Sequence, residues 1–227
     1  MLCRWQSEIE PYCVKVLKKH WPHVPNLGDI NKIDWRTVPT VDVICGGYPC
    51  QPFSVAGARK GTDDPRHLWP SFADAIRVLR PRYALLENVA GHLTLGFDRV
   101  LADLAACGYD AQWDCIPAAA VGAPHRRDRV FIIATQTNMD DTSGKNGRLA
   151  ELKDMAPGRR RAEFRKPNRQ ALPQPYWSSN QPAMGGMVDG VPNRLDRLRG
   201  LGNAVVPQVA QHVAQTIIEI ERINNNG

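Results

Sequence analysis

Val41-Asp-Val-Ile-Cys-Gly-Gly-Tyr-Pro-Cys-Gln-Pro-Phe-Ser54 is the stretch on which the fold turns. A β-branched run ends in two glycines and passes into a cysteine flanked by prolines, which reads as a strand entering a loop. Downstream, Trp69 to Arg80 puts Phe72, Ala73, Ile76, Val78 and Leu79 largely on one helical face, and Pro81 ends that helix. Tyr83 to Val89 is short and apolar, as a buried strand is. Phe97 to Cys107 repeats apolar residues at Val100, Leu101, Leu104 and Ala105 before Gly108, a second helix. Tyr109 to Ile116 and Arg129 to Ala134 read as further strands. Strands alternating with helices of about ten residues predict an α/β domain with a mainly parallel sheet covered by helices. Pro207 to Ile223 closes the chain as a helix with Val209, Val213, Ile217 and Ile220 on one face.

Length and composition fit one compact domain, with or without a small appendage. The 227 residues are 43% hydrophobic and 23% charged, which excludes wholesale disorder and leaves enough chain for a core. No run reaches the roughly 18 apolar residues of a membrane span. The opening residues do not read as a secretory signal. The net charge of +6 is compatible with a polyanionic partner. Six cysteines without a CxxC pair fit reduced thiols in a cytoplasm-like compartment.

The composition changes at Gln136. From there to Gly185 the chain has no Val or Ile, recurrent prolines, and nine Lys or Arg against five Asp or Glu, so it cannot build its own core. An insertion, a lid or a disordered loop is expected.

Three constellations carry chemistry. Cys50, between Pro49 and Pro52 and after Gly46 and Gly47, is displayed at the carboxyl end of a strand, where open α/β sheets bind ligands. Such a thiol is either a nucleophile, which requires its thiolate, or a structural cysteine in a stiff turn. Glu87 ends an apolar strand and is either a solvated acid or a proton-handling group. Arg127 and Arg129, alternating at the entrance of a strand, could aim two guanidinium groups the same way. A pairing of Cys50 with His125, as in a thiol enzyme of another kind, is a further reading of the same residues.

In order and spacing these segments resemble the cytosine-5 DNA methyltransferase family of bacterial or phage type. Pro49-Cys50-Gln51 is similar to its nucleophile motif and Glu87-Asn88-Val89 to its ENV motif. Arg127-Asp128-Arg129 resembles its paired arginines, and Gly202-Asn203-Ala204-Val205 its C-terminal signature. The resemblance implies a Rossmann-like fold and catalytic roles for Cys50, Glu87, Arg127 and Arg129. It implies S-adenosylmethionine as cofactor, met by Glu8 at the ribose, by Asp29 at the adenine, and by Ile9, Ile30, Pro49, Leu68, Asn203, Ala204 and Val205. It also implies double-stranded DNA as partner, touched by Gln51, Ser54, Arg59 and Lys60 in a closing loop and by Arg159, Arg160, Arg161 and Arg165 in the insertion. Residues 1–135 would form the catalytic α/β domain, 136–190 a small basic target-recognition-like insertion, and 191–227 a return to the catalytic domain. The implied setting is the cytoplasm of a bacterium or phage-infected host, without a membrane or metal.

The pattern departs from the family at its start. The family opens with a strand and a Phe-x-Gly-x-Gly turn that cradles the methionine end of the cofactor, and this sequence has no such turn. The expectation is a fold lacking its first strand, with Met1 inside the second and apolar neighbours exposed. A companion chain supplying the missing motif would restore an active enzyme. The alternative is an inactive remnant, or half of a split enzyme, that still binds DNA.

Overall fold

The computed structural model describes residues 2–49, 68–94, 96–137 and 202–225, with side chains described as far as Arg222. Chain contacts divide it into two compact units. One contains the N-terminal residues to Asp34, Pro117–Arg127 and the C-terminal segment; the other contains Trp35–Ile116 and the strand that begins at Asp128.

The second unit is built on a four-stranded sheet. β1 spans Val43–Gly47, β2 Tyr83–Val89, β3 Tyr109–Pro117 and β4 Asp128–Gln136, in the order β1-β2-β4-β3. β1 and β2 are parallel, with Val43 opposite Tyr83 and Gly47 opposite Glu87. β2 and β4 are antiparallel, with Tyr83 opposite Thr135 and Val89 opposite Arg129. The expected parallel arrangement thus holds for one pair and fails at β4. The reason lies in the connections. A helix separates β1 from β2, whereas no α-helix lies between β3 and β4 to carry the chain back across the sheet. The start of β3 lies beside the end of β4, where Thr137 donates from both its N–H (2.9 Å) and its Oγ1 (2.6 Å) to the Gly108 carbonyl.

Val130 to Ala134 are five consecutive buried residues in β4, which requires cover on both faces of the sheet. Helix α2, Trp69–Leu79, buries Trp69, Phe72, Ala75, Ile76 and Leu79. Phe72, Ile76 and Leu79 fall on the expected face, but Ala75 and Trp69 complete it rather than Ala73 and Val78, each about 100° away from a buried neighbour. Helix α3, Phe97–Ala106, buries Phe97, Val100 and Leu104, while Ala105 is exposed. Arg80 ends α2 in the left-handed region at φ 50°, its N–H reaching Ile76 O, and Pro81 follows. The Tyr109 hydroxyl donates to Pro81 O at 2.6 Å, and Arg80 lies 5.3 Å from the Tyr109 ring centre.

The first unit contains a helix that periodicity did not flag. α1, Pro11–His20, begins with a proline, ends with Lys18, Lys19 and His20, and buries no residue. The strand expected ahead of Glu8 is a single parallel bridge between Gln6 and Asn26. Gln6 N–H donates to Pro25 O and Leu27 N–H to Gln6 O, and Pro25 has no N–H with which to extend the ladder. Leu2, Ile9 and Trp21 are exposed. The closing helix α4, Pro207–Asn225, runs two residues further than expected and buries Val209, Val213 and Ile217. The basic insertion lies outside the described residues from position 138 to 201. Among the described residues no helix is long and apolar enough to cross a membrane.

Burial pushes the Tyr109 phenol up to about 12 from its ordinary 10.0, with Arg80 pulling it down and Cys107 adding to the rise. The folded state therefore holds this proton more tightly than the unfolded chain does. The associated stability is fully present below pH 10 and is lost as pH rises through 12. Tyr109→Phe should cost about 1–2 kcal/mol at neutral pH in urea unfolding and should lose less stability than wild type above pH 10.

Candidate active site

The carboxyl ends of β1 and β2 meet where the sequence places two glycines. A Cβ on Gly46 would sit 2.7 Å from the Phe72 ring, so this position holds α2 close to the strand. A Cβ on Gly47 would sit 2.8 Å from Glu87 Oε2, so the carboxylate lies over bare backbone at the end of β1. Its other oxygen, Oε1, accepts from Arg129 Nε at 2.9 Å, and the two side chains are 16% and 20% exposed. The pairing follows from register. Arg129 lies two residues from the partner of Glu87, on the same face of adjoining antiparallel strands.

The chain leading to Cys50 is pinned beside this pair. Asn88 is buried; its Nδ2 donates to Tyr48 O at 2.9 Å and its Oδ1 accepts from Val89 N–H at 2.8 Å. The Tyr48 ring is itself buried against Trp69, centroids 4.9 Å apart, with its hydroxyl 2.9 Å from His92 Nε2. Trp69 Nε1 donates to Asp103 Oδ2 at 2.8 Å, which ties the contact to α3. The sequence reading missed Asn88, Tyr48, Trp69 and His92 as supports. The signal available was a polar residue amid an apolar strand, because a buried amide needs a partner. Pro49 is exposed, and Leu68 is the residue before α2, its carbonyl accepting from Phe72 N–H. Cys50, Gln51, Ser54, Arg59, Lys60, Arg159, Arg160, Arg161 and Arg165 lie outside the described residues.

The two arginines have different partners. Arg127 precedes β4 with φ 40°, so strand alternation does not reach it. Its guanidinium donates to Gly202 O at 2.5 Å and Ala204 O at 2.7 Å, which clasps the segment of Asn203, Ala204 and Val205. Asn203 and Ala204 are exposed and Val205 is half-buried.

The acids of the first unit sit at turn starts. Glu8 Oε1 accepts from the N–H groups of Ile9 and Glu10, each at 2.8 Å, just ahead of α1. Ile9 beside it is 66% exposed. Asp29 Oδ1 accepts from Asn31 N–H at 3.0 Å and caps the short 3-10 turn Ile30–Lys32, and Asp29 Oδ2 lies 3.6 Å from Lys32. Gly28, at φ 77°, has open space where a side chain would stand. Among the described residues no cluster of His, Cys, Asp and Glu is arranged to hold a metal ion.

The family model for C-5 cytosine-specific DNA methylase matches residues 1–181. The chain belongs to that family. It is similar to Type II methyltransferase M.NgoBV of Neisseria gonorrhoeae, 33% identical over 169 residues, or 67% of this chain and 39% of that protein. It is similar also to Type II methyltransferase M.AplI of Arthrospira platensis, 42% identical over 99 residues, covering 42% of this chain and 29% of that one. The chain therefore spans about two fifths or less of the length of these curated relatives. The crystal structure of the S. pombe Dnmt2 methyltransferase shares its fold, with a TM-score of 0.51 and 18% identity, covering 73% of this chain and 51% of that one.

The two glycines should respond differently to the same change. Gly46→Ala drives a methyl into a packed ring and should cost about 1–3 kcal/mol in urea unfolding. Gly47→Ala meets the end of a flexible side chain, so it should cost less than about 1 kcal/mol while displacing the Glu87 carboxylate, visible in the variant's crystal structure.

Proposed function

We propose that the chain is the catalytic part of a DNA cytosine-5 methyltransferase, acting on a flipped cytosine through a covalent adduct to Cys50. The observation that carries this reading is the Glu87 carboxylate, oriented by Arg129 and lying over Gly47, three residues before the cysteine of a Pro-Cys-Gln sequence. The target base leaves the duplex, at a cost of a few kcal/mol for unpairing and unstacking. The Cys50 thiolate bonds to carbon 6, and the electron pair of the 5,6 double bond moves into the ring, which makes carbon 5 nucleophilic. Glu87, with Oε1 on Arg129, presents Oε2 to the amino and ring-nitrogen edge and holds a proton there as negative charge builds. After methylation the carbon 5 proton goes to a base, the sulfur–carbon 6 bond breaks and the thiolate departs.

S-adenosylmethionine, when bound, would supply the methyl group and leave as S-adenosylhomocysteine. Glu8 would hold the ribose diol through the oxygen not used at the start of α1, Ile9 would offer an apolar surface, and Asp29 with Ile30 would meet the adenine. Pro49, Leu68, Asn203, Ala204 and Val205 complete the proposed cofactor set. Arg127 acts by holding the carbonyls of Gly202 and Ala204. Gln51, Ser54, Arg59 and Lys60 would close over DNA, and the arginines of the insertion would contact phosphate, which positions the enzyme without reading sequence.

Cys50→Ser should abolish transfer of labelled methyl groups from S-adenosylmethionine to DNA while leaving DNA affinity unchanged. Gly47→Ala should lower the rate at least about tenfold with the fold intact, since a positioned proton-handling group contributes about 10²–10⁴. Methyl transfer by Cys50→Ser at the wild-type rate would sink the reading. Calorimetric binding of S-adenosylmethionine to the purified chain, with Glu8→Ala as control, tests the cofactor assignment. Replacing Arg159, Arg160, Arg161 and Arg165 by Gln should reduce the salt dependence of DNA binding by about 0.9 in log–log slope for each phosphate no longer neutralised. An unchanged slope would remove the insertion from the DNA interface.

A further inference from the structure

Asn26 makes a set of contacts that the proposed chemistry does not use. Its Oδ1 accepts from Glu8 N–H at 3.0 Å and from Gly28 N–H at 3.3 Å, while its Nδ2 donates to Glu8 O at 3.0 Å. Only one orientation of the amide satisfies both the donor and the acceptor of Glu8, so its oxygen and nitrogen are assigned by their partners. Ser7 adds a second tie, Oγ donating to Gly28 O at 2.7 Å. Around them run Gln6 N–H to Pro25 O at 2.9 Å and Leu27 N–H to Gln6 O at 2.7 Å.

These bonds do the work of a ladder that is not there. Beyond the single Gln6–Asn26 bridge, one side chain stands in for a pairing strand and grips both polar groups of the Glu8 backbone. The Glu8 carboxylate is then fixed in turn by Ile9 and Glu10 N–H. At the other end the same amide and Ser7 hold Gly28, whose φ of 77° sets the direction of the chain into Asp29. The two acids lie 21 residues apart in sequence, and this cross-tie spans them.

We propose that Asn26 and Ser7 are positioning residues for the adenosine end of the cofactor. They set the separation of Glu8 and Asp29, so that ribose diol and adenine edge are met at once rather than one at a time. The inference rests on the cofactor reading above. Neither residue touches the ligand; each acts through the placement of Glu8 and Asp29.

The test is a double-mutant cycle on the full chain, read by calorimetry with S-adenosylmethionine and S-adenosylhomocysteine, which share the adenosine end. Asn26→Ala should weaken binding of both about tenfold and Ser7→Ala about threefold, as expected for losing exposed hydrogen bonds that preorganise a site. In a Glu8→Gln background, where the carboxylate no longer grips the diol with full charge, each should change affinity by less than about twofold. Equal losses in both backgrounds would mean that the bonds only hold the fold, and no loss in either would mean that they do nothing for the ligand; each overturns the proposal. If Asn26→Ala does not fold, Ser7→Ala on the surface decides by the same comparison. The failure of the underlying reading looks different: Glu8→Ala would itself leave cofactor binding unchanged, or the folded wild-type chain would bind neither ligand.

Discussion

Where β1 and β2 run side by side to their carboxyl ends, the space left at Gly46 and Gly47 governs what can gather there. A side chain at the first position would push back Phe72 and with it α2; one at the second would push back Glu87. With both absent, the helix seats against the strand and a carboxylate lies flat over the backbone, held from the far side by Arg129. Removing Arg129 alone would leave a largely buried acid without its guanidinium, which costs more than replacing both members together. The same close approach brings Asn88 within reach of Tyr48 O, so strand pairing, helix packing and the course of the chain toward Cys50 are one problem with one solution.

Much of the sheet was legible because its signals are local. β2 occupies the expected span, and β1, β3, β4, α2 and α3 lie within one or two residues of theirs, since apolar periodicity and the Gly and Pro stops mark them. Strand direction was harder to read. Antiparallel pairing at β4 depends on a connection without a helix, visible only if the gap between Tyr109–Ile116 and Arg129–Ala134 is weighed as a turn. α1 escaped because it is short and buries no residue fully, although Cys13, Val14 and Leu17 are half-buried along one side of it.

The candidate site divides along a similar line. Glu87 and Arg129 could be placed by motif, and the register explains why they meet. Arg127 could not be placed by alternation, because a left-handed residue at the mouth of β4 breaks the pattern before it begins. Asn26 and Asn88 carry hydrogen bonds between residues 18 and 40 apart in sequence, and although the apolar strand around Asn88 shows that its amide needs a partner, the sequence does not name it.

The clasp of Arg127 on Gly202 and Ala204 also bears on the cost of bringing distant parts of a chain together. It joins positions 75 and 77 residues apart, with β4 between them. The entropy of closing a loop grows only with the logarithm of its length, and doubling it costs about 0.6 kcal/mol. A contact between residues so far apart in sequence therefore costs hardly more to close than one over half the distance.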